Sequence, residues 1–212
     1  VLDELKSSKG PLRVLDLGCG QGNSVELFNK LSAKIIWTGI DIEDSPEVAS
    51  RTREDVEFVT FDGVHIPFDD DHFDVVYSNQ VLEHVRKPED LLGEVNRVLK
   101  EGGLFIGSTS QLEAYHSYSI FNFTPYGFKV ICVDAGLILA EIRPSIDGIT
   151  LPLRRLLGNP SCFSRWWNRE SPVNAWLSFR GRRRASSHAE VNAEKLLLCG
   201  QFVFKLVKPQ SE

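Results

Sequence analysis

The stretch Val14-Leu15-Asp16-Leu17-Gly18-Cys19-Gly20-Gln21-Gly22 decides how the rest of the chain is read. The apolar run from Arg13 ends in Asp16-Leu17-Gly18, glycines follow, and Val25, Leu27, Phe28 and Leu31 then recur at helical spacing. The order predicted is strand, tight loop, helix. Glycines let a backbone approach a ligand without Cβ obstruction, and a helix N-terminus offers free N–H groups and the positive end of its dipole. An anionic group is therefore expected at this loop. The spacing Gly18-x-Gly20-x-Gly22 differs from the dinucleotide pattern G-x-G-x-x-G. Asp16, just before the first glycine, would repel a pyrophosphate but can accept from an ammonium group.

Working outward, Ile35 to Ile40 closes on Asp41, Val56 to Phe61 closes on Asp62, and Phe73 to Tyr77 leads to Ser78 and Asn79. These read as buried parallel strands with acids or amides at their carboxyl ends. Pro88 suits the first turn of a helix whose inner face is Leu91, Leu92, Val95, Val98 and Leu99, with Gly102 as its stop. A strand follows from Leu104 to Ser108, then a helix from Thr124-Pro125 with Phe128, Ile131, Cys132 and Ala135 inward and Gly136 at its end. Strands from Leu137 to Ile142 and from Phe202 to Val207 complete the series. Such alternation predicts an α/β, doubly wound sheet.

At 212 residues, with 42% hydrophobic and 25% charged residues, the chain suits one full α/β core and not two. A single domain over 1–212 is expected. No apolar run approaches the ~18 residues of a membrane span, and no basic-then-apolar leader opens the sequence. A soluble, cytoplasmic protein is therefore expected. Cys19, Cys132, Cys162 and Cys199 lie far apart, which suggests reduced thiols and neither a zinc site nor a disulfide framework. The chain holds no methionine, so Val1 is not expected to be the translational start.

The alternation stops over residues 144–195, where Trp166, Trp167 and Trp176 supply three of the four tryptophans. Between Arg154 and Arg184 stand eight arginines against Glu170 alone, so a segment of +7 hangs on a body of −12 within a net −5. We read it as a partly helical insertion before the last strand. It could serve as a lid whose arginines grip a phosphate-bearing or lipid-linked acceptor, as a peripheral contact with an anionic membrane, or as a solvated extension or subunit contact. The acidic body argues against nucleic acid.

The strand ends describe a ligand. Asp41 lies 21 residues after Gly20, where a carboxylate can accept both hydroxyls of a ribose. Asp62-Gly63 could receive an adenine amino group and leave room for its ring. Together with an amino-acid zwitterion at the glycine loop, these features describe S-adenosylmethionine (SAM). The chain resembles the class I SAM-dependent methyltransferases, especially the branch like those of ubiquinone and menaquinone biosynthesis. The resemblance runs over roughly residues 10–142 and rests on Val14 to Gly22, Gly39-Ile40-Asp41-Ile42, Phe61 to Phe68, Phe73-Asp74-Val75-Val76, Val81-Leu82-Glu83-His84-Val85 and Val98 to Gly103. It departs at Gly63-Val64, where many relatives carry another small residue.

The resemblance implies a Rossmann-like, seven-stranded sheet whose last strand runs antiparallel. It also implies SAM contacts at Asp16, Gly18, Gly20, Asp41, Asp62, Gly63, Asn79 and Gln80, and Cys19, Gly22, Ile42 and Val64 in the same stretches complete the candidate cofactor set. His84 and His116 are the candidate catalytic residues. His84 could take a proton from an acceptor hydroxyl, or it could simply pack in the cofactor wall. His116 could join Tyr77 and His65 in an aromatic, titratable pocket. No metal cluster is suggested. The expected reaction is SN2 transfer of a methyl group to an oxygen, nitrogen or carbon of a small acceptor. A nicotinamide-type oxidoreductase, a SAM-binding regulator without turnover and a membrane-associated interaction protein are the alternatives.

Overall fold

Leu12–Leu17 (β1) is buried along both faces, with Val14 on one side and Leu15 and Leu17 on the other, as a central parallel strand must be. The computed structural model describes residues 10–31, 34–113, 118–167 and 169–210. Around β1 stand Ile35–Asp41 (β2), Glu57–Thr60 (β3), Phe73–Asn79 (β4), Leu99–Ser110 (β5), Ile138–Pro144 (β6) and Gln201–Val207 (β7). They form one seven-stranded sheet in the order β3-β2-β1-β4-β5-β7-β6. β7 runs antiparallel to both β5 and β6, and the other pairings are parallel. The chain winds outward from β1 in one direction to β3 and in the other through β4. The carboxyl ends of β1 and β4 therefore flank the topological switch point, where open α/β sheets bind ligands.

Helices cover the two faces unequally. Val25–Leu31 (α1) sets Val25 and Phe28 into a small cluster with Val14, Trp37 and Val75. A four-residue helix, Pro46–Ala49 (α2), follows β2. Pro88–Val98 (α3) and Pro125–Asp134 (α4) cover the other face, where Leu91, Leu92, Val95, Val98, Phe128 and Cys132 join the larger core. The Thr124 hydroxyl caps α4 by accepting from the Gly127 N–H at 3.0 Å, and Gly136, with φ of +82°, turns the chain out of it. α3 ends earlier than its apolar period predicts. Leu99 already belongs to β5, and Gly102 lies within the strand, because β5 pairs with Phe73 from its first residue.

The segment between β6 and β7 is largely helical, with Thr150–Leu156 (α5), a 3-10 turn over Ser161–Trp167, Pro172–Arg184 (α6) and His188–Leu197 (α7). Its two ends are tied together, with Gly148 N–H donating to the Leu198 carbonyl at 2.7 Å and Gly200 N–H to the Ile146 carbonyl at 2.8 Å. The wholly buried Asp147 starts α5, accepting from the N–H groups of Ile149 (3.0 Å) and Thr150 (2.7 Å). Among the described residues no helix is long and apolar enough to cross a membrane.

Candidate cofactor and acceptor site

The loop after β1 is fixed by positive φ at Gly18 (+71°), Gly20 (+50°) and Gly22 (+78°). At Gly18 the glycine is required twice, since a Cβ there would also lie 2.3 Å from Cγ2 of Val81. The N–H groups of Gly18 and Cys19 donate to the Ile40 carbonyl at 2.9 and 3.1 Å, which sets the loop against the end of β2. Asp41 closes the arrangement, one carboxylate oxygen accepting from Gly20 N–H (2.7 Å) and the other from Ile42 N–H (2.8 Å).

Asp16 is almost fully buried and accepts from the Ser24 hydroxyl at 2.5 Å, while Ser24 in turn accepts from the Trp37 indole N–H at 2.9 Å. Burial, reinforced by the negative charge of Asp41, raises its pKa to about 7. No basic side chain among the described residues pairs with it, and an ammonium group would supply the missing positive charge. Asp41 is raised for the same chief reason. The residues present therefore fit the cofactor inferred above, with two carboxylates to accept from ammonium and hydroxyl groups beside a glycine-rich loop. Cys19 serves through its backbone, since burial and the two carboxylates push its thiol up to about 12.

The third strand end differs in character. Asp62 is exposed and caps its own loop, accepting from the N–H groups of Val64 (2.8 Å) and His65 (2.7 Å) and pairing with the His65 ring at 2.6 Å. These bonds hold its carboxyl down at about 2. Gly63, with φ of +87°, lies against Ile42, so the loops after β2 and β3 meet. Asn79 ends β4 and accepts from the Ser108 hydroxyl at 2.7 Å. Gln80 follows at φ of +58°, a conformation uncommon for a side-chain-bearing residue. Its amide lies 3.0 Å from the hydroxyls of both Ser108 and Ser110, and the orientation that satisfies it turns the nitrogen toward Glu83 at 3.0 Å.

Asn79, Gln80 and Ser108 also form one wall of a cleft of about 870 Å³. Glu113, Arg154, Arg155, Asn159, Trp167 and Gln201 are among its other lining residues, so the insertion contributes to its lining. A second cleft of about 880 Å³ is bordered by the last four residues of β6 and by α6 and α7. The half-buried His84 sits in a 3-10 turn, Leu82–His84, and is not among the side chains lining the first cleft. Tyr77 packs edge-on against Phe28 at 5.5 Å, and burial raises its hydroxyl to about 12. His116 lies outside the described residues.

Three side chains at the site were not anticipated from sequence. Arg51 donates to the Gly20 carbonyl through Nε (2.9 Å) and Nη2 (2.7 Å) while its guanidinium stacks on Phe58, 3.8 Å from the ring centroid. It locks the glycine loop from outside, from a segment without periodicity to mark it. Ser24 orients Asp16. Glu83, fully buried, accepts from Thr109 (2.9 Å) and Ser110 (3.1 Å), and its main-chain carbonyl holds the N–H groups of Ile120 and Phe121. Burial raises its pKa.

Comparisons with known proteins agree with this geometry. Residues 15–107 match the methyltransferase domain family. Over 150 residues the chain is 35% identical to a ubiquinone/menaquinone biosynthesis C-methyltransferase of Ectopseudomonas mendocina, covering 62% of this chain and 57% of that protein. Over 104 residues it is 35% identical to a ubiquinone biosynthesis O-methyltransferase of Maricaulis maris, covering 46% of this chain and 40% of that protein. The matched stretch thus spans about half the length of these relatives. The fold resembles a chain from the complex between the Haloferax volcanii Trm112 methyltransferase activator and a methyltransferase, at a TM-score of 0.62 and 22% identity over 96% of this chain and 85% of that one. The glycine loop, the buried Asp16 and half-buried Asp41 beside it and the order of the sheet agree with these matches, and residues 15–107 carry the methyltransferase domain, similar to the class I SAM-dependent methyltransferases of the ubiquinone/menaquinone-biosynthesis-like branch.

Proposed function

We propose that this protein transfers a methyl group from SAM to an oxygen, nitrogen or carbon nucleophile of a small molecule held in the cleft beside Asn79 and Gln80. The observation that carries the reading is Asp16 and Asp41 flanking a glycine-rich loop at the switch point of the sheet. In this reading Asp16 accepts the ammonium of the cofactor, Asp41 its ribose hydroxyls, and the loops of Ile42 and Asp62 to Val64 the adenine. The glycine loop, Gly18 to Gly22, receives the carboxylate, and Asn79 and Gln80 separate cofactor from acceptor. The bound cofactor supplies a methyl group already activated by a sulfonium. The work left to the protein is alignment, with reacting atoms ~3 Å apart, and exclusion of water.

A general base is dispensable here, with His84 shaping the wall rather than moving a proton. His84→Ala is expected to keep methyl transfer within about tenfold of the parent, whereas loss of a true base costs about 10²–10⁴. A charged or lipid-linked acceptor is favoured by the arginines of the insertion. Calorimetric titration with SAM and S-adenosylhomocysteine tests the reading, with NAD as control and Asp41→Ala alongside. Saturable binding lost in the variant is expected, and a folded protein that binds neither would overturn it.

A second reading, contact of the insertion with an anionic membrane, is favoured by exposed Trp176 and Phe179, each beside an arginine (Arg180 at 4.7 Å, Arg183 at 5.3 Å from the ring centroids). It requires co-sedimentation with anionic vesicles that disappears on replacing both aromatic residues with alanine.

A further inference from the structure

Two adjacent arginines of α5 line the same cleft, and they are not equivalent. Arg155 is paired with Glu113, a buried carboxylate that also accepts from the Gln201 amide (2.6 Å) and lies 3.0 Å from the Ser110 hydroxyl, whose one proton it shares with Glu83. Its charge is cancelled within the wall. Arg154 has no acidic partner among the described residues. After α5 the chain reverses through Gly158 and Asn159, both at positive φ (+76° and +58°), and Asn159 returns to Arg154 twice. Its N–H donates to the Arg154 carbonyl at 2.9 Å, and its side-chain oxygen accepts from Nη1 of the guanidinium at 2.8 Å. Trp167 stands on another side, 5.9 Å from the guanidinium carbon to the ring centroid. The side chain is therefore held in place by its own turn.

Its Nε is buried and has no hydrogen-bond partner. Unsatisfied buried donors are rare in folded proteins and costly, more so on a charged group. With Nη1 committed to Asn159 and Nε enclosed by protein, the guanidinium presents a fixed positive charge to the cleft that it lines, the charge an oxyanion needs. From these contacts we infer that Arg154, with Asn159 and Trp167 as its supports, is the specificity-determining anion site of the cleft and takes the phosphate monoester of the methyl acceptor. The rest of that acceptor then extends toward Asn79 and Gln80, which line the same cleft. The inference rests on the proposed methyl transfer only for calling the ligand an acceptor, since the anion site is defined by the cleft itself.

The test is calorimetric titration of the whole chain, with and without saturating S-adenosylhomocysteine, using phenyl phosphate, neutral benzyl alcohol and short-chain dihexanoyl phosphatidic acid as probes. Phenyl phosphate or the phosphatidic acid is expected to bind saturably, and benzyl alcohol far more weakly. Tighter binding of phenyl phosphate assigns a soluble ester, and tighter binding of the lipid assigns a lipid headgroup. Arg154→Gln should weaken the phosphate probe by about tenfold or more, with Arg154→Lys in between, while S-adenosylhomocysteine binds as to the parent protein. Asn159→Ala, which releases the guanidinium without removing it, should weaken the probe severalfold and keeps the test open if Arg154→Gln fails to fold. Equal phosphate binding by parent and variants, or none by a protein that binds S-adenosylhomocysteine, would overturn the inference. Loss of S-adenosylhomocysteine binding alone, with Arg154-dependent phosphate binding intact, would overturn the methyltransferase reading and leave the anion site standing.

Discussion

Asp16 and Gly18 show how narrowly the site constrains individual positions. Gly18→Ala imposes a left-handed conformation on a residue with a Cβ and drives that carbon into Val81. We expect a loss of about 1–3 kcal/mol in urea unfolding and weaker SAM binding by titration. Asp16 carries the pH dependence. Its pKa is about 7 in the fold, well above the ordinary aspartate value of 3.8, so folding favours its neutral form. The resulting stabilisation is fully present below pH ~3.8 and is lost as pH rises through ~7. A ligand ammonium reverses the preference, because it binds the ionised carboxylate. SAM is therefore expected to bind more tightly and raise the melting temperature more at pH 8 than at pH 6, with the difference removed in Asp16→Asn.

At the scale of elements, α4 and the antiparallel β7 are joined by one aromatic contact. Phe128, fully buried, lies 4.6 Å from Phe204, 5.4 Å from Phe202 and 6.1 Å from Phe123 between ring centroids. Phe128→Ala should cost about 3–5 kcal/mol of unfolding free energy by denaturant titration, because a packed face cannot collapse around the hole. The folded fraction should bind SAM with unchanged affinity, since Phe128 lies in the core cluster and not at the glycine loop. The periods of α3, α4 and the central strands were legible in the chain because burial on one face imposes a spacing. The start of β5 at Leu99 was not, since an apolar residue at the seam of helix and strand satisfies either period.

Across the whole molecule, the cleft is made from parts that are remote in sequence. Gln201 on β7 reaches Glu113 after β5, and Arg155 of the insertion pairs with the same carboxylate. Arg155→Met leaves Glu113 buried without its counter-ion. We expect a loss of ~2–4 kcal/mol at neutral pH, read by thermal unfolding.

The sequence by itself placed the candidate cofactor residues. Strand, glycine loop and helix are local features, and the acids at strand ends follow from where a parallel strand stops, so Asp16, Asp41 and Asp62 could each be placed from their neighbours. Only the tertiary structure decided what each acid does. Asp41 binds the glycine loop, Asp16 is buried toward neutrality, and Asp62 is spent on its own turn. It also placed side chains that the sequence did not mark: Arg51 on the glycine loop, buried Glu83, and Arg155 paired with Glu113 beside an Arg154 without an acidic partner among the described residues. Two neighbouring arginines look alike in a sequence. Which of them keeps its charge for a ligand depends on whether a carboxylate from a distant strand end comes within reach.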